Sequence, residues 1–237
     1  LLAVAAVLIA INARRQGWHG LVGGAHVARI NITGLILEDA KRDAPLAKLA
    51  DDAETKAVVV HISSPGGSTF GGESLYNGLR RIAAKKPVVA VIDTMGASAA
   101  YMTADAADRI FARESSITGS VGVLLQVTEF SGLLGKLGVN AETIKSGTLK
   151  AEPSPFAPMS DQARAYTQQI VDETFHWFLG LVSERRHLTP DRLKLISDGR
   201  IVLGRTAAEL GLIDELGGER EARTWLAEAK GIARSLP

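Results

Sequence analysis

Ser98 lies in the stretch Asp93-Thr-Met-Gly-Ala-Ser-Ala-Ala-Tyr-Met102, with alanine on either side. The apolar run 87–92 before it reads as a buried strand, and the small residues 99–107 after it read as a helix. A serine at such a turn can act as a nucleophile. Small neighbours let a substrate backbone come close, and a helix N-terminus offers free N–H groups to an oxyanion. The G-x-S-x-G spelling of a nucleophile elbow is absent. The plainer reading is that Ser98 only caps the helix. A second stretch, Ser64-Pro-Gly-Gly67, follows another apolar strand, 57–62. Two glycines permit backbone angles that leave N–H groups pointing into a cleft. Pro-Gly alone is an ordinary turn signal. Placed after neighbouring parallel strands, however, the two turns would share one sheet edge. An amide of Gly66 or Gly67 and the amide of Ala99 could then hold one oxyanion.

A serine hydroxyl needs a base. The first histidine after Ser98 is His176, inside a long helix, and His61 lies in the strand before the glycines. Lysine is the other option. A lysine ordinarily titrates near 10.4 and must fall to about 7–8 for base work, which requires desolvation. The stretch Ile144-Lys-Ser-Gly-Thr-Leu-Lys150 offers two candidates, Lys150 between Leu149 and Ala151, and Lys145.

The elements that must position these groups follow from the hydrophobic pattern. Residues 26–37 read as a first strand and turn, 45–52 as a short helix, 56–62 as a strand, 63–68 as a loop. Residues 72–84 are a helix with Leu75, Leu79 and Ile82 on one face. Strands are expected at 109–112, 120–127 and 139–145, with a helix at 130–137 ended by Gly138. A long helix, 159–187, is capped by Ser160 and carries Val171, Phe175, Phe178 and Val182 on a face that suits core or subunit interface better than substrate. Thr189-Pro190 opens another helix, and 219–231 reads as the last. Strands alternating with helices make this an α/β chain with right-handed parallel crossovers, whose ligands gather at strand C-termini.

The 237 residues carry a net charge of +1, so nothing points to nucleic acid. The absence of cysteine excludes disulfides, thiol catalysis and cysteine-ligated zinc. Five histidines form no H-x-x-x-H pair, and no cofactor is implied. Residues 1–11 are an unbroken apolar run, shorter than the roughly 20 residues a bilayer span needs. They read as the tail of a membrane anchor in contact with the lipid bilayer, with a buried helix or a signal-peptide apolar region as the alternatives, and a glycine-rich linker follows. The Arg14-Arg15 pair taken alone would leave the downstream domain in the cytoplasm.

Five motifs carry a family resemblance: Ser64-Pro-Gly-Gly67, Gly96-Ala-Ser-Ala-Ala-Tyr101, Thr118-Gly-Ser-Val-Gly-Val123, Lys145-Ser-Gly-Thr-Leu-Lys150, and Gly199-Arg-Ile-Val-Leu-Gly204 with Gly211-Leu-Ile-Asp214. In this order they resemble the signal peptide peptidase A (protease IV) family, over about residues 25–218. The resemblance implies a crotonase/ClpP-like fold, a parallel β-sheet with flanking helices. It implies Ser98 as nucleophile and Lys150, the second lysine of its motif, as base, and makes Lys145 a strand residue. The implied organisation is a truncated anchor at 1–13, a linker at 14–24 and a serine–lysine peptidase domain at 25–237. The implied site is the bacterial cytoplasmic membrane, spanned once, with the domain on the extracytoplasmic side against the Arg14-Arg15 reading. Substrates would be remnant signal peptides and similar hydrophobic segments. A single copy of the domain resembles the short members, homo-oligomeric rings in which serine and lysine come from neighbouring subunits. The chain departs from the family in reading Ala-Ser-Ala-Ala where many members have Ala-Ser-Gly-Gly, which narrows the approach to Ser98. Competing readings are a crotonase-type acyl-CoA enzyme, which ordinarily needs a glutamate that neither turn supplies, a phage-type capsid maturation protease of the same fold, and a scaffold with a decayed site.

Overall fold

The β-branched run Val58-Val-Val60 suits a strand covered on both faces. In the computed structural model, which describes residues 24–237, it forms the middle of β2 (Thr55–Gly67). β2 lies between β1 (His26–Ile36) and β3 (Val88–Ala97), and the sheet continues through β4 (Arg109–Ala112) to β7 (Glu215–Leu216), every pair parallel. The far end of β3 pairs with β5 (Ile117–Gly119), which in turn pairs antiparallel with β6 (Ile201–Leu203).

Alternate strand residues face opposite sides. Val58, Val60, Ile62, Val88, Ala90 and Ile92 pack into the larger core with α2 (Thr69–Ala83), α3 (Ala99–Asp105) and α5 (Asp161–Arg186). Ala57, Val59, Val89 and Val91 face the other way, against Ala222 and Leu226 of α8 (Glu219–Lys230). α1 (Ala40–Asp51) buries Leu46 and begins five residues earlier than its apolar pattern suggests, because the Asp39 carboxylate accepts from the amides of Lys41 and Arg42. α6 (Pro190–Ile196) and α7 (Gly204–Leu210) complete the C-terminal part. The Ser160 cap on α5 and the Thr189 cap with Pro190 on α6 stand where the sequence puts them.

Three expectations are corrected. Residues 63–67 are not a loop: β2 runs to Gly67, because past a bulge its backbone still pairs with Ile36 of β1 and Gly96 of β3. The strands expected at 120–127 and 139–145 do not form, so Lys145 is not a strand residue. Gly119 and Ser120 both have positive φ, 82° and 52°, which turns the chain out of the sheet at the end of β5. Residues 120–158 then make an arm outside the sheet, with α4 (Ser131–Lys136) within it and a bond from the Phe130 amide to the Pro155 carbonyl at 2.8 Å joining its two limbs. The anchor at 1–13 and the linker up to residue 23 lie outside the described residues. Among the described residues no helix is long and apolar enough to cross a membrane.

Candidate active site

Register brings the two turns together. Ser64 of β2 stands opposite Gly96 of β3, so Gly66 and Gly67 lie alongside Ala97, Ser98 and Ala99. The approach is too close for a side chain. A Cβ at Gly66, where φ is 105°, would stand 2.8 Å from the Ala97 carbonyl oxygen and 2.9 Å from the Ser98 Cβ. A Cβ at Gly67 would stand 1.9 Å from the Ile36 carbonyl oxygen. Both glycines are therefore required by contact, and Gly66 by its backbone angle as well.

The serine turn is fixed from the other side by β5. The Ser98 amide donates to the Gly119 carbonyl at 2.9 Å, and the Thr118 hydroxyl to the Gly96 carbonyl at 2.7 Å. Ser98 has φ 55° and ψ −123°, an angle pair a serine rarely adopts. It occupies the N-cap position of α3, yet its hydroxyl makes no capping bond. The capping reading thus fails on geometry. Strain held without a local bond is what a turn that presents a side chain to a cleft requires.

That cleft is small, about 20 Å³, and is bordered by Gly67, Ser98 and Ala99. Met102 of α3, Val123 of the arm and Phe178 of α5 form much of its wall. Gly67 is exposed there and Gly66 is buried behind it. The Ala99 methyl, the departure noted in the serine motif, is accommodated by Gly72 of α2, where a Cβ would meet it at 2.9 Å. Phe178 and Thr174 were not legible as site residues. They share a helix face four residues apart, and apolar periodicity alone assigns that face to core.

The structure does not bring the lysines to this cleft. Lys150 lies in an exposed turn at 148–151 of the arm, and among the described residues its side chain makes no hydrogen bond or ion pair. Lys145 is partly buried and ion-paired with Glu152, whose carboxyl it holds below the usual range. His61 is also elsewhere. It stands 3.0 Å from Asp93 and 3.2 Å from Glu219, on the α8 side of the sheet. No group of metal-ligating side chains occurs among the described residues.

The model of peptidase family S49 matches residues 80–233. A relative from Methanocaldococcus jannaschii is 36% identical over 228 residues, covering 90% of this chain and 73% of its own length. The chain belongs to peptidase family S49. Protease 4 of Haemophilus influenzae, 32% identical, is matched over 83% of this chain, which spans only 33% of that longer protein. A mutant of the 1510-N membrane-bound stomatin-specific protease superposes with a TM-score of 0.57 at 14% identity, over 86% of this chain and 85% of that one. A ClpP1 mutant from Listeria monocytogenes gives 0.53 at 13%, over 81% and 92%. The fold is therefore crotonase/ClpP-like, as the motifs imply, and family membership makes the chain a serine peptidase.

Proposed function

We propose that Ser98 is the nucleophile of this S49 peptidase and that Lys150 of a neighbouring copy is its general base. The observation that carries the reading is the strained, uncapped Ser98 turn opening onto a cleft walled by Gly67 and Ala99. In the reaction the Ser98 hydroxyl oxygen attacks the peptide carbonyl carbon while its proton passes to the lysine amine. Backbone N–H groups of Gly67 and Ala99, with Gly66 keeping the end of β2 close against the serine turn, receive the charge that develops on the carbonyl oxygen. The lysine then returns the proton to the leaving amine, and water, deprotonated by the same lysine, releases the acyl group.

Lysine serves as a base only when unprotonated, and burial in apolar surroundings is what weakens its hold on the proton. Lys150 is exposed among the described residues, and we assign its cover to a neighbouring copy. The arm that bears it also exposes Leu124, Leu137, Ile144 and Phe156. A solvated apolar surface of that kind is characteristic of an interface. An assembled ring with the dyad completed between subunits accounts for both facts. Cleaved signal peptides and similar apolar segments are the substrates we assign, acted on at the extracytoplasmic face of a bacterial membrane. The apolar run 1–11 supports attachment to a membrane.

Fluorophosphonate labelling and peptide hydrolysis of wild type, Ser98→Ala, Lys150→Ala and Lys145→Ala test the assignment. Both signals should vanish for the first two variants and persist for Lys145→Ala. A folded, assembled wild type that neither labels nor hydrolyses would refute it, and acyl-CoA binding would be measured next.

A further inference from the structure

α3 has Ser98 at its N-cap and Ala99 as its first residue, and the N–H groups of a helix lie nearly along its axis. The direction of α3 therefore decides where the Ala99 amide points. The helix spans only seven residues, all buried, and is too short to hold its own shape, since isolated helices below about 12–15 residues are marginal. Its start lacks the usual side-chain support, because the Ser98 hydroxyl makes no capping bond. Its end is held by two other helices. Arg185 of α5 donates from Nε to the Asp105 carbonyl at 3.0 Å and from Nη2 to the Ala107 carbonyl at 2.8 Å. Arg80 of α2 donates from Nη1 to the Ala106 carbonyl at 3.0 Å. Two guanidiniums thus take up three consecutive carbonyls, at the point where a helix leaves its last carbonyls without partners of its own.

We propose that Arg185 and Arg80 are positioning residues for the peptidase reaction: by holding the far end of α3 they aim the Ala99 amide at the developing oxyanion. The inference rests on the peptidase reading and adds how its oxyanion donor is kept in place. β5 fixes only the near end, through the bond from the Ser98 amide to the Gly119 carbonyl. At 1.5 Å per residue α3 is about 10 Å long, so a shift of about 2 Å at its far end tilts the axis by about 10°. Reacting groups have to be held within about 10–20° of their productive geometry, and a misplacement of about 1 Å costs on the order of 100-fold in rate. The two arginines are not equivalent. Arg185 bridges carbonyls two residues apart with its planar fork, which a lysine ammonium on a flexible stem does not reproduce. Arg80 makes a single bond to this helix end, which a lysine can also make.

The test separates kcat from KM on the assembled full chain. Arg185→Ala should lower kcat and the rate of fluorophosphonate labelling of Ser98 by about 10–100-fold, with KM within about twofold of wild type. Affinity for a peptide aldehyde, whose adduct with Ser98 places an oxygen where the oxyanion forms, should fall by the same factor. Arg80→Ala should act in the same way but less, Arg80→Lys should recover the wild-type kcat, and Arg185→Lys should not. A helix end that contributes stability alone would lower the unfolding midpoint and leave kcat, labelling and aldehyde affinity of the folded protein unchanged. That result overturns the proposal while leaving the peptidase reading intact, and so does a loss confined to KM. Where Arg185→Ala fails to fold, Arg185→Lys decides: wild-type kcat overturns the proposal, and a fall in kcat and aldehyde affinity at unchanged KM supports it. A wild type that neither labels nor hydrolyses overturns the peptidase reading and this inference with it.

Discussion

Asp105 sits at the end of α3, the helix that begins at Ser98, and both of its carboxyl oxygens are buried without a partner. Three arginines approach but are engaged elsewhere. Arg185 donates to the Asp105 and Ala107 carbonyls, Arg186 binds Asp214 and the Gly211 carbonyl, and Arg80 donates to the Ala106 carbonyl. Burial pushes the Asp105 carboxyl from its ordinary 3.8 up to about 8, against the pull of those cations. The folded protein therefore holds a neutral acid at pH 7, which the unfolded chain releases. Below pH 3.8 both states keep the proton and there is no penalty. Between 3.8 and about 8 only the folded state keeps it, and stability falls by about 1.36 kcal/mol per pH unit. Above 8 both are ionised and the penalty is constant. At pH 7 the penalty is bounded by about 4 kcal/mol. Asp105→Asn has the same shape and no proton to lose, so it should stabilise the protein at pH 7 by about 1–4 kcal/mol. The gain should disappear near pH 4. Urea unfolding of both proteins at pH 4, 6 and 8 reads this directly. A variant less stable than wild type at pH 8, or a difference that ignores pH, would refute the reasoning and show that Asp105 is ionised against its arginines.

Equal mixing of Ser98→Ala and Lys150→Ala subunits before assembly should restore about one quarter of wild-type hydrolysis, since half of the serine donors and half of the lysine donors are intact; a dyad within one chain gives none. Gly66→Ala should abolish Ser98 labelling and cost about 1–3 kcal/mol in denaturant unfolding, because its Cβ meets the serine turn at a positive φ. Burial alone would raise Glu219, but hydrogen bonds from Arg29 and Arg223 overcome it and bring the group down to about 2. Its stabilising contribution is therefore complete above pH 4.5 and lost as pH falls towards 2. Glu219→Gln should cost about 1 kcal/mol at pH 7, after allowing for solvent screening, and the difference from wild type should fade in acid unfolding experiments below pH 4.5.

The central sheet and the serine turn were legible because their signals are local. A run such as Val58-Val-Val60 has few other fates, and small residues around Ser98 leave room for a turn under strain. The arm was not legible for a physical reason. Val121, Val123 and Leu125 alternate like a strand, but alternation makes a strand only where a sheet edge is free, and the positive φ at Gly119 and Ser120 has already taken the chain away from it. Phe178 was invisible as a site residue because it belongs to core and cleft at once. Lys150 was named by its motif, but the cover that its proposed chemistry needs cannot be read from any single chain.

The backbone angle at Ser98 bears on how this site can change over generations. Alanine at position 98 removes the hydroxyl and keeps the unfavourable φ of 55°. Glycine removes both, and relief of a positive-φ residue is worth about 1–2 kcal/mol. A lineage no longer selected for hydrolysis would gain from glycine here, whereas one that retains serine at this angle accepts a permanent thermodynamic handicap in return for its hydroxyl. Ser98→Gly should accordingly be an inactive protein more stable than its parent, and Ser98→Ala an inactive protein that is not.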